Sequence, residues 1–81
     1  MSIRIKNAMH AIKMIEDGEI KVGSVINSVD GLFQVVGINR QIPSAELKEV
    51  IYDPDTDTDT LGDHSYLWTA YDLSGKEVCG I

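Results

Sequence analysis

The sequence predicts an α+β fold, with an N-terminal amphipathic helix followed by a small, strongly bent antiparallel sheet of about five strands. Three observations carry this expectation. Residues 2–18, SIRIKNAMHAIKMIEDG, place Ile5, Ala8, Met9, Ile12 and Ile15 at helical intervals. Two runs of β-forming residues flank Asp30-Gly31 within GSVINSVDGLFQVVGI, residues 23–38, and such a dipeptide between apolar runs is the strongest short hairpin signal. Alternation then returns over Ser65–Asp72, and Leu73-Ser74-Gly75 turns the chain into a last strand, Lys76–Cys79.

The helix spans about residues 5–17, with Lys6, Lys13 and Glu16 on its wet surface and Gly18 as its stop. Either Ser2 or Asn7 can cap its start, the second leaving Ile3-Arg4-Ile5 extended. Glu19–Val22 alternates and leads to a bend at Gly23. A type I′ turn at Asp30-Gly31 then pairs Val29 with Leu32, Asn27 with Gln34 and Val25 with Val36. One face of the hairpin carries Val25, Val29, Leu32 and Val36, and the other carries Ile26, Phe33 and Val35. Neither face is polar throughout, so the expectation is a hairpin covered on both sides. Pro43 breaks the following stretch, and Ser44 is placed to cap a single helical turn through Leu47. Val50-Ile51-Tyr52 reads as strand, and the Asp, Thr and Gly of residues 53–64 read as a long exposed loop.

With 81 residues the chain has room for a single domain, residues 1–81, and one modest core. Its formal charge of −6 is unevenly spread: residues 53–63 alone sum to −5. Without a Lys/Arg cluster the chain lacks the footprint that drives nucleic-acid binding, and the same balance opposes docking on an anionic membrane. Cys79 is the only cysteine, so no internal disulfide, zinc cluster or CxxC pair can form. No apolar run reaches signal-peptide or membrane-spanning length, and the expected location is the cytoplasm.

The run Gly23-x-Val25, then Asp30-Gly31-Leu32-Phe33-Gln34-Val35-Val36-Gly37-Ile38, then Val50-Ile51-Tyr52 and Leu67-Trp68 resembles the small SH3-like barrel domains of bacteria and their phages. The likeness covers residues 22–72 and omits the helix. It implies a bent barrel and a binding module, and it carries no catalytic residue across.

The unusual stretch is Asp53-Pro54-Asp55-Thr56-Asp57-Thr58-Asp59-Thr60-Leu61-Gly62-Asp63. Asp55, Asp57 and Asp59 sit at the alternate positions with which a calcium loop begins, yet Thr60 stands where the loop needs Gly and Tyr66 where it needs Glu. Fully extended, the same carboxylates would form a row spaced about 6.6 Å apart, an imitation of nucleic-acid phosphates. A third reading is a solvated loop that aids solubility. Asp63-His64-Ser65 is no catalytic triad, because neighbours on an extended chain point in different directions. Tyr66, Trp68 and Tyr71, joined by Tyr52 and Phe33, could line an aromatic groove for an extended peptide, although a core this small also needs Trp68 and Phe33.

These features favour a non-enzymatic protein-binding module of the phage inhibitor or adaptor kind. Its partner-binding residues are Asp53, Asp55, Asp57, Asp59, Asp63, Tyr66 and Trp68, facing a protein with a basic surface, with no cofactor and no catalytic residue. The alternative is a small-ligand or calcium-binding protein acting as a homo-oligomer.

Overall fold

The computed structural model describes residues 2–79. Among these residues six strands and two helices follow one another as β1 (Ile3–Arg4), α1 (Ala8–Asp17), β2 (Val25–Ser28), β3 (Gly31–Asn39), β4 (Ser44–Asp53), β5 (Thr58–Thr69), α2 (Ala70–Leu73) and β6 (Glu77–Cys79). The strands form one sheet in the order β1-β6-β2-β3-β4-β5, and each neighbouring pair is antiparallel. Its class is therefore α+β, as the sequence indicates. The sheet does not close into the expected barrel: β1 and β5 are its two edges among the described residues.

The helix is not the first element, because Ile3 and Arg4 pair with Val78 and Glu77 before it starts. Of the two possible caps, Asn7 is the one used. Its side-chain oxygen accepts from the His10 amide at 2.9 Å, supplying a partner to one of the orphan donors of the first turn. Gly18 ends the helix at φ +81°, a left-handed conformation that costs glycine nothing. Ala11, Met14 and Ile15 are the buried stripe, while Met9 stays exposed. The stretch after the helix folds as turns and never enters the sheet, although Ile20 is buried.

The first hairpin exists with a different turn. Val29 and Asp30 form its tip, and the register runs Ser28↔Gly31, Asn27↔Leu32, Ile26↔Phe33 and Val25↔Gln34. A type I′ turn at Asp30-Gly31 would need positive φ at both residues. Asp57 is the one described non-glycine residue with positive φ, whereas Gly31 lies at +127°. Ser28 fixes this alternative: its hydroxyl accepts from the Asp30 amide and donates to the Gly31 carbonyl, each at 3.2 Å. The offset from the expected register is two residues, so every side chain keeps its face.

Ile26, Phe33 and Val35 share the inner face with Ala45, Leu47 and Val78, and these pack into one core with Ala11, Met14 and Ile15 of α1 and with Leu73. The other face is not covered as expected. Leu32 is 43% exposed there and Leu67 is 68% exposed. A register shift between Val35 and Gly37 bends β3 beside β4. Ser44 opens β4 instead of capping a helical turn, because Asn39 and Ser44 pair directly and the Asn39 side chain accepts the Gln41 and Ile42 amides of the intervening turn.

Candidate functional site

β4 and β5 outrun the rest of the sheet. Pairing of β3 with β4 ends at Phe33↔Glu49, whereas β4 and β5 continue together through Val50↔Leu61, Ile51↔Thr60, Tyr52↔Asp59 and Asp53↔Thr58. The segment expected as a loop over residues 53–64 is thus the end of a two-stranded ribbon, with only Pro54–Asp57 as its turn. Its ordering has local causes. Proline pre-sets φ for the first loop residue, and Asp57 takes φ +53°, the left-handed region that aspartate tolerates better than most side chains. The Asp53 carboxylate accepts from the Asp55 amide at 3.0 Å, the Tyr52 hydroxyl donates to Asp57, and the Thr56 and Thr58 hydroxyls meet at 2.7 Å.

This geometry sets what the five acids can do. Asp55 and Asp57 lie in the turn, while Asp53 and Asp59 belong to pairs adjacent along the ribbon and so project from opposite faces. The chain reverses on itself, and the phosphate-like row does not form. No group of three carboxylate, imidazole or thiol side chains among the described residues is arranged to hold a metal ion, so Asp55, Asp57 and Asp59 are not gathered into a calcium-like cluster. What forms instead is an acidic tip around an apolar stem, since Ile51, Tyr52 and Leu61 are exposed along the arm. Tyr52 holds its phenol proton more tightly than an ordinary tyrosine, first through the bond to Asp57, then through desolvation and the charge of Asp59.

At the root of the arm the register shifts: Lys48 pairs with Ser65 and Val50 with Leu61, so Gly62, Asp63 and His64 bulge opposite Glu49. Asp63 is therefore placed on the shoulder, apart from the tip. Below it lies an aromatic cluster. The Phe33 ring stands 5.7 Å from Tyr66, edge to face, and 4.9 Å from Trp68. Tyr66 is 42% exposed, whereas Trp68 is half-buried against the core and carries the Lys76 ammonium 4.9 Å above its ring. Trp68 thus serves mainly as packing, and Tyr66 is the exposed aromatic of the pair. Leu61 falls in the segment read as exposed and Tyr52 among the groove candidates, whereas the exposure of Ile51 and the pairing that aligns the three are not anticipated from the sequence. The signal was present, because DTDTDT has the period of a strand and Thr favours sheets.

A separate groove of about 460 Å³ lies between the ends of β1, β2 and β6, bounded by Arg4, Asn27, Ser28 and Glu77, away from the arm. No described helix is long and apolar enough to cross a membrane. Comparison with protein-family models, with curated proteins and with solved structures gives no match.

Proposed function

We propose that the protein is a non-enzymatic binding module of the inhibitor or adaptor kind, which uses the β4–β5 arm to engage a basic surface on a partner protein. The observation that carries this reading is the charge of the arm: residues 49–65 include six acids and no Lys or Arg, with Lys48 at the root as the adjoining cation. Most of that segment is a ribbon that no third strand of the described residues supports, and isolated two-stranded ribbons are marginal in water. A cationic partner would offset the repulsion at the tip and cover Ile51, Tyr52 and Leu61 at the same time. The same charge opposes nucleic acid and anionic lipid as direct ligands. The SH3-like likeness of residues 22–72 supports a binding role through its hairpin order and exposed aromatics, independently of barrel closure. The reading places the module in the cytoplasm, where the lone thiol of Cys79 stays reduced.

The test is affinity capture from lysate of the source organism, comparing the wild-type chain with D55N/D59N/D63N. That variant leaves Asp53 and Asp57, which build the turn, in place. The expected result is a partner whose association with the variant slows about tenfold at low salt, with a melting temperature no lower than that of the wild type. An association rate equal to that of the wild type would overturn the acidic arm as the binding surface.

A further inference from the structure

β5 is twelve residues long and forms one edge of the sheet; β4 lines one side, and no strand of the described residues pairs with the other. Its outer backbone groups are therefore offered outward along the strand. Exposed edges are blunted by charged side chains, Pro or bulges; residues 58–69 contain no Lys or Pro, and the acids and the bulge of β5 lie at Asp59–His64, which leaves Ser65–Thr69 unblunted. The opposite edge, β1, has only two residues. The bulge at Gly62–His64 divides β5 into an arm portion, Thr58–Leu61, and a body portion, Ser65–Thr69. The body portion presents Tyr66 on one face and Leu67 on the other, while Asp59 and Asp63 flank it on the arm side. From this we infer that the outer edge of β5 accepts an extended, basic segment of a partner protein as an added antiparallel strand. The guest's apolar residues lie beside Ser65–Thr69 and its Lys or Arg residues beside Asp63 and Asp59.

The inference rests on the acidic-arm reading and adds to it a main-chain mode of recognition. Antiparallel addition continues the pairing found throughout the sheet. Charge selects the guest: against the β5 edge of a second copy, antiparallel pairing would set Asp59 and Asp63 beside a body portion that carries no Lys or Arg, whereas a basic segment gives both acids a counter-charge. Alternating side chains fix specificity while the backbone supplies affinity.

The test uses the full chain and two synthetic peptides, each with alternating Thr and Val in its first half and alternating Thr and Lys in its second. One peptide is N-methylated at alternate positions, which removes backbone donors and leaves the charge intact. Calorimetry is expected to show binding of the plain peptide and at least about tenfold weaker binding of the methylated one, since each 1.4 kcal/mol of lost contact is tenfold. Amide exchange should slow along residues 58–69 and not along β1. Equal binding of the two peptides would overturn strand addition while leaving the acidic arm standing, and so would slowed exchange confined to another strand. Equal binding of the plain peptide to wild type and D59N/D63N would overturn the charge selection. No binding of either peptide at millimolar concentration, or a dimer that buries β5, would overturn the inference itself, and the capture experiment above judges the arm separately.

Discussion

Truncating Leu47 separates the packed face of the sheet from the bare one. Leu47 is fully buried at mid-strand, flanked by Val35 on β3 and Tyr66 on β5, and it belongs to the same core as Ala11, Met14 and Ile15 of α1. With strands on both sides and the helix in the same core, the space left by its isobutyl group cannot collapse. Buried Leu→Ala changes cost about 2–5 kcal/mol, and this setting places Leu47→Ala near 3 kcal/mol. For a domain of this size each kcal/mol is worth about 4–8 °C, so the melting temperature should drop by roughly 12–24 °C. Leu67 projects from the opposite face and is 68% exposed, so Leu67→Ala should cost less than about 0.5 kcal/mol. Urea unfolding followed by circular dichroism reads both, with Leu47→Val, expected near 1 kcal/mol, as the variant that keeps a full folded baseline. If Leu67→Ala proved as costly as Leu47→Ala, both faces of the sheet would be covered and the one-sided core would be wrong.

Three further outcomes follow from local geometry. Asp30→Gly should destabilise by roughly 0.5–1 kcal/mol in the same assay, because Asp30 does not adopt positive φ and glycine only adds unfolded-state entropy; stabilisation would instead indicate the type I′ turn. Asn7→Ala removes the acceptor for the His10 amide and should cost about 1 kcal/mol, whereas Asn7→Asp should recover most of it. The raised pKa of Tyr52 means that the folded arm favours the protonated phenol. Its contribution is present in full below the ordinary tyrosine value and is lost as pH rises through the higher folded value. Cross-strand contacts between Tyr52 and Asp59 should therefore weaken in alkali in the wild type, and Tyr52→Phe should lack that transition; identical behaviour of the two would refute the role of the Tyr52–Asp57 bond.

Much of the fold is legible in the residues themselves. The apolar spacing from Ala8 to Ile15 and the Asn7 and Gly18 signals define α1, although the helix starts at Ala8 and not near Ile5, whose backbone instead bonds Lys76 and Gly75, and Met9 leaves the stripe; the face assignment of Ile26, Phe33 and Val35 survives because an even slip of register preserves sides. The turn itself is misread because Asp-Gly suits two geometries, and the Ser28 hydroxyl, not the dipeptide, selects between them. The opening of β4 at Ser44 depends on pairing with Asn39, a tertiary choice that overrides the local capping signal. α2 is hidden because Ala70–Leu73 continues the strand alternation, and the turn is settled by the Asp72 carboxylate accepting the Thr69 amide at 2.9 Å. The acidic ribbon is the largest gap between expectation and structure. Aspartate disfavours strands on average, yet Thr58 and Thr60, Pro54 and a left-handed Asp57 together outweigh that tendency.

The arm's order is the claim on which the binding surface depends, and proton–proton contacts across β4 and β5 test it most directly. Contacts linking Ile51 with Thr60 and Asp53 with Thr58 are expected, together with strand-like chemical shifts on both sides of Pro54–Asp57. Random-coil shifts through residues 53–63, with no contact across the ribbon, would contradict it.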